Sequence, residues 1–173
     1  MKASWSALVL CLTLACAGQL WAAALPDSCG NDNVKFDVKT KDGQPAPAAP
    51  AYGKAQIVFI EGENQPIGPF MHATIRFGID GAWAGANNGN SYFAANVDPG
   101  LHHLCASWQS DLDTYKRNVE LTSFTAEPQQ VYYFAAQVTV NSRNSLSFGF
   151  SPMNEDQGKY RVQQSKLSVS KAK

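Results

Sequence analysis

The chain has 173 residues with 14 basic and 14 acidic side chains, a formal net charge of zero, and 45% hydrophobic residues. That balance excludes nucleic acid and anionic membrane as principal partners, because both recruit a strongly basic face. The length is one domain's worth of chain and can bury a sizeable core without help.

The first predicted element is an export signal over residues 1–24. Lys2 supplies the positive start, Ala7 to Ala17 (ALVLCLTLACA) the short apolar core, and Ala22-Ala23-Ala24 the small-residue end that a signal peptidase accepts. The apolar core falls short of the about 20 residues that span a bilayer, and no later stretch approaches them, so no transmembrane segment is expected. A lipoprotein with Cys16 as its anchor is the rival reading, but Thr13-Leu14 fits poorly with the leucine-then-small order before such a cysteine. Cleavage after Ala24 leaves 149 residues, and because Lys2 is the only charge removed, 13 bases face 14 acids. Cys11 and Cys16 leave with the signal, so Cys29 and Cys105 remain with one possible intramolecular pairing. Reduced buried thiols or a bond between chains are the alternatives. The chain has no Asn-x-Ser/Thr acceptor, which points to a bacterial periplasmic or secreted protein.

Residues 25–42 form an N-terminal segment, with Cys29 in a turn-rich stretch and a short predicted strand at Val34–Val38. Residues 43–53 read as a Pro/Ala linker, unable to enter a sheet interior. The predicted β-sandwich spans 54–152. Gln56–Ile60 is a continuous apolar run suited to a central strand covered on both faces. Ala73, Ile75, Phe77 and Ile79 alternate with His72, Thr74, Arg76 and Gly78, and Asp80-Gly81 then supplies the positive φ of a two-residue hairpin turn. A return strand over Ala82–Ala86, a turn at Asn87–Asn90, a strand over Ser91–Val97 and a turn at Asp98-Pro99-Gly100 follow.

On the next predicted strand, Leu101–Gln109, Leu104, Ala106 and Trp108 share one face and His103 and Cys105 the other. If the first face is core, Cys105 looks outward, where the Cys29 segment could cross the sheet and reach it. Tyr115, Arg117, Val119 and Leu121 alternate with Lys116, Asn118, Glu120 and Thr122. Val131–Val140 turns Tyr132, Phe134, Ala136, Val138 and Val140 inward, and Leu146, Phe148 and Phe150 continue the core. In the last section, 153–173, Asn154–Gly158 predicts one capped helical turn and Tyr160–Val169 an edge strand or tail, with no longer helix expected. Short strands with turn chemistry every 8–12 residues or so predict an all-β sandwich of about seven to nine antiparallel strands.

Ile79-Asp80-Gly81, Gly89-Asn90-Ser91-Tyr92-Phe93, Asp98-Pro99-Gly100-Leu101-His102 and Val131-Tyr132-Tyr133-Phe134 occur in that order. The series resembles the bacterial domain-of-unknown-function family numbered twenty-eight forty-six and, more distantly, PEGA-type surface domains. The likeness covers roughly Ala55 to Pro152 and omits the Cys29 segment. It implies an immunoglobulin-like or prealbumin-like sandwich of bacterial envelopes, with no established enzyme chemistry.

No residue pattern argues for catalysis. His102 and His103 are adjacent on a strand and leave from opposite faces, His72 stands apart, and no ligand spacing suggests a metal. His102 is expected to satisfy backbone groups at the Pro99-Gly100 turn. Asp111/Asp113 and Glu155/Asp156 lie in a loop and at a helix start, without the contrasting environments a hydrolase requires. The chain lacks a G-x-S-x-G elbow, and Gly85–Gly89 lacks the lysine and helix of a phosphate loop. No cofactor is expected. Trp83, Tyr92, Trp108, Tyr115 and Tyr132 are aromatics that most often fill a core, and Trp83 with Tyr92 is the best candidate for a sugar-stacking surface. The reading is an exported non-enzymatic module, structural or bound to an envelope protein or cell-surface polymer, with carbohydrate binding as the alternative.

Overall fold

A computed structural model describes residues 26–42, 46–62, 73–110, 118–140 and 146–173. The expected signal segment, His72, the Asp111/Asp113 pair and Tyr115 lie outside the described residues. The strands are β1 (Phe36–Lys41), β2 (Ala55–Glu61), β3 (Thr74–Ile79), β4 (Ala82–Asn88), β5 (Ser91–Val97), β6 (Gly100–Gln109), β7 (Val119–Ala126), β8 (Val131–Val140), β9 (Leu146–Met153) and β10 (Lys166–Ala172), with helix α1 (Glu155–Gln164) before the last.

They form a six-stranded sheet, β1-β10-β5-β2-β8-β9, and a four-stranded sheet, β4-β3-β6-β7. The period-2 alternation turns one face of each sheet inward, and the two apolar faces meet in a sandwich core. There Phe59 of β2 and Phe77 of β3 contact each other and both Phe93 of β5 and Phe150 of β9, with centroids 4.9 Å apart for Phe59–Phe77 and 5.2 Å for Phe59–Phe93. Ring pairs of this kind contribute about 0.5–1.5 kcal/mol each beyond their burial.

β2 is buried along its whole length, between β5 and β8. Its second face packs a smaller cluster in which Val58, Ile60, Tyr92 and Tyr133 meet Val162 of α1. The unbroken apolar run of β2 therefore has a cover on each side.

Among the described residues, ten strands exceed the expected seven to nine, and they are not all antiparallel: β2 pairs with β8, and β10 with β5, in parallel. Long-range returns of the chain make those pairs, which short-range turn signals do not report. β1 and β10, read as an outlying segment and as an edge strand or tail, pair with each other, and β10 is interior to the larger sheet. The single helical turn is instead a ten-residue helix. Asn154 caps it by accepting from the Gln157 N–H at 2.8 Å, but Gly158 does not end it. Gly158 is buried against Tyr133, where any Cβ would overlap the ring, so this glycine marks close packing rather than a helix end. The expected turn over Asn87–Asn90 is shorter, because Asn87 and Asn88 belong to β4 and buried Asn87 donates Nδ2–H to the Phe59 carbonyl at 3.1 Å.

The β3–β4 hairpin turns at Asp80 and Gly81, with φ of 49° and 85°, the paired positive values of a two-residue turn. A Cβ on Gly81 would also stand 2.8 Å from the Asp27 carbonyl oxygen. Gly81→Val should therefore lower the unfolding free energy by about 1–3 kcal/mol. Urea denaturation checks this, and an unchanged midpoint would refute the turn assignment.

Candidate functional site

The outer face of the four-stranded sheet is where the chain concentrates its unusual chemistry. Residues 26–35 cross it as a strap. Cys29 and Cys105 form a disulfide with Cα atoms 5.2 Å apart across 76 positions of sequence. Cys105 does sit on the face away from Leu104 and Ala106, and the strap buries it completely. Gly78, its register partner on β3, lets the strap lie flat: a Cβ there would stand 3.1 Å from the Ser28 carbonyl oxygen and 3.3 Å from Cys29 Cα.

Arg76 is the second anchor. Its side chain is 5% exposed, although a strand-alternation reading leaves it on the polar face. Nη1 donates to the carbonyls of Asp32 at 3.0 Å and Val34 at 2.7 Å, while Nη2 donates to Ser107 Oγ at 3.0 Å and reaches Asp32 Oδ1 at 3.5 Å. Burial pulls the Arg76 pKa below the ordinary guanidinium value, against the hydrogen bond and charge of Asp32. The Gln109 amide completes the attachment, accepting from the Phe36 N–H at 2.7 Å and donating to the Phe36 carbonyl at 3.0 Å where β1 begins.

Trp83 and Tyr92 do not form a surface together. Tyr92 is 1% exposed, because its strand is interior and α1 covers that face of the sheet. Trp83 is half-buried: its ring lies against Gly30, Arg76 stands 4.5 Å from its centroid, and Nε1 donates to the Asn31 carbonyl at 2.8 Å. Trp83 thus clamps the strap. The signal that could have found this arrangement is the common outer face of Arg76, Gly78 and Cys105, which a strap tied to Cys105 must cross.

Asp80, Pro99, Gly100 and His102 gather at one end of the same sheet. Pro99 and Gly100 make the β5–β6 corner, with Gly100 at φ 137°. His102 Nε2 is 2.7 Å from the Asp98 carbonyl and Nδ1 is 2.6 Å from Asp80 Oδ2, while Asp80 Oδ1 accepts from the His103 N–H at 2.8 Å. Both ring partners are acceptors, so the doubly protonated imidazolium suits the site. Burial opposes that charge, but the Asp98 carbonyl, the Asp80 hydrogen bond and the charges of both acids outweigh it and raise the His102 pKa. Burial would likewise raise Asp80, but the His103 N–H, the His102 hydrogen bond and the histidine charges lower it. With both ring nitrogens engaged, His102 has no site left to take a substrate proton.

Two spaces open near these elements. A cavity of about 180 Å³ has Arg76 and Trp108 among its walls, with Asp32, Asn33, Lys35 and Gln109. A groove of about 400 Å³ runs between Pro47–Ala49 and α1, beside Val131, Tyr133 and Lys159. Among the described residues, no group of three or more His, Cys, Asp or Glu side chains could hold a metal, and no helix is long and apolar enough to cross a membrane. No family model, curated protein or solved structure matches the chain.

Two measurements follow from this geometry. Removing the disulfide in a Cys29→Ala/Cys105→Ala double variant should cost about 4 kcal/mol of unfolding free energy, the chain-entropy value for a loop of this length. A loss below about 1 kcal/mol in urea would show that the strap does not depend on the bond. The His102–Asp80 pair should contribute most between about pH 4 and 6.5. The lowered Asp80 pKa gives stability lost as pH falls through it, and the raised His102 pKa gives stability lost as pH rises through it. His102→Gln should therefore flatten the decline in melting temperature from about pH 6 to 9, and a parallel decline in both proteins would contradict the assignment.

Proposed function

We propose that this chain is an exported, non-enzymatic module of a bacterial envelope, structural or protein-binding, built as an immunoglobulin-like or prealbumin-like sandwich. The observation that carries the proposal is the Cys29–Cys105 bond closing the strap over Arg76. Such a bond persists in an oxidising compartment, which agrees with the signal-like residues 1–24. The buried or clamped polar groups support a non-enzymatic reading, because Arg76, Asp80 and His102 hold strap and turns together. The resemblance to the family numbered twenty-eight forty-six is in keeping with this, since its residues occupy turns and core. Carbohydrate binding through a Trp83–Tyr92 platform loses support, as Tyr92 is buried and Trp83 is engaged by the strap.

Expression of the full chain in a Gram-negative host should deliver it to the periplasm, with the mature N-terminus at or near Leu25 and both remaining cysteines oxidised. An uncleaved cytoplasmic product, or a lipidated Cys16 terminus, would overturn the export assignment. The module reading is tested separately with purified mature protein. Turnover in a broad hydrolase panel would overturn it, and polysaccharide binding lost in Trp83→Ala would favour the carbohydrate alternative.

A further inference from the structure

The strap is held to its sheet unevenly. Within residues 26–34 only Cys29 and Gly30 are buried, and neither cluster of the hydrophobic core includes a strap residue. These residues belong to no strand. Among the described residues, one main-chain hydrogen bond ties them to the sheet, from the Gly81 N–H to the Ser28 carbonyl at 3.2 Å. Gly30 against Trp83, and Gly78 beneath Cys29, keep the contact flat. With so little apolar surface taken from water, the strap depends on the disulfide far more than on burial.

What remains without the bond is a set of polar contacts. Arg76 donates to the Asp32 and Val34 carbonyls and Trp83 Nε1 to the Asn31 carbonyl, and water replaces such acceptors at little net loss. Uncovering Arg76 also restores the hydration whose loss lowers its pKa. The next segment is held differently. The Lys35 carbonyl accepts from the Lys173 N–H at 2.9 Å, and β1 pairs with β10 from Phe36–Ala172 to Lys41–Leu167. That ladder fixes the far end of the strap and places a hinge at Val34-Lys35. A flap that leaves the sheet once cut holds its two thiols at low effective concentration. Its disulfide is therefore easier to reduce than one between two paired strands.

We propose that the Cys29–Cys105 bond is a redox latch: reduction by a dithiol frees residues 26–34 as a flap, reoxidation closes it, and the sandwich stays folded in both states. The donor's first thiolate attacks Cys29 Sγ, forming a mixed disulfide and expelling the Cys105 thiolate, which takes a proton. The donor's second thiolate attacks its own sulfur in that mixed disulfide and releases Cys29 as a thiol. Two electrons and two protons thus pass to the protein, and the donor leaves as a cyclic disulfide. A disulfide-bearing oxidant runs the same steps backwards. The open form uncovers Arg76, Trp83 and the Cys105 thiol. The latch uses none of the signal-like residues 1–24, so failure of the export assignment leaves it standing.

Hydrogen exchange followed by NMR gives the readout, on purified protein oxidised, reduced with dithiothreitol without denaturant, and as Cys29→Ser. Reduction should run to completion. The Gly81 amide and the Trp83 indole N–H, which the strap carbonyls accept, should then exchange at least about tenfold faster, the mark of a local opening. The amides of β2 should stay far slower than these two, because the core is intact. Cys29→Ser should match the reduced protein, and oxidised glutathione should return the reduced protein to slow exchange. A bond that dithiothreitol cannot cut without denaturant, or unchanged exchange at Gly81 and Trp83 after reduction, would make the disulfide a passive staple and overturn the proposal. Exchange of the β2 amides as fast as that of Gly81 would show the whole domain opening, and would overturn it equally.

Discussion

The covalent tie between Cys29 and Cys105 sets the conditions for everything on the outer face of the smaller sheet. A four-stranded sheet with one face on the core would ordinarily leave the other to water. Here the tie holds the strap against that face, and the strap brings backbone carbonyls over Arg76 and Trp83. A cation can be buried at this position because the strap supplies oxygen acceptors along its length. From there the chain enters β1, held by Gln109, and β1 extends the larger sheet through β10. One link between distant residues thus organises both the covered face and the sheet edge opposite it.

The larger sheet solves a different problem. β2 and its neighbours are apolar on both faces, and a sandwich partner covers only one. Helix α1 covers the other through Val162, and the absence of a side chain at Gly158 lets its backbone approach Tyr133. Tyr92 is consumed by the same arrangement. An aromatic that looked available for a ligand is instead part of a second core between sheet and helix.

Polar chemistry is spent in the same economical way. The histidine, aspartate and turn glycines that lie near one another in space could suggest a proton-transfer site. Their geometry is that of a clamp, with a carboxylate bridging an imidazole and the next residue's backbone N–H. Arg76 is used the same way, its Nη donors taken by the strap carbonyls of Asp32 and Val34, by Ser107 Oγ and by the Asp32 carboxylate.

The sequence by itself determined the β class, most strand positions and the Asp80-Gly81 turn, and it offered Cys29–Cys105 as one pairing among alternatives. The first three depend on local rules: two-residue alternation and the positive φ that glycine accepts. Only the tertiary structure decided that β1 and β10 join the larger sheet, that β2–β8 and β5–β10 run parallel, and that Arg76 lies buried while Tyr92 is unavailable. Those outcomes depend on which distant segment covers a given face. Alternation tells the two faces of a strand apart, but it carries no information about what will be laid across the outer one.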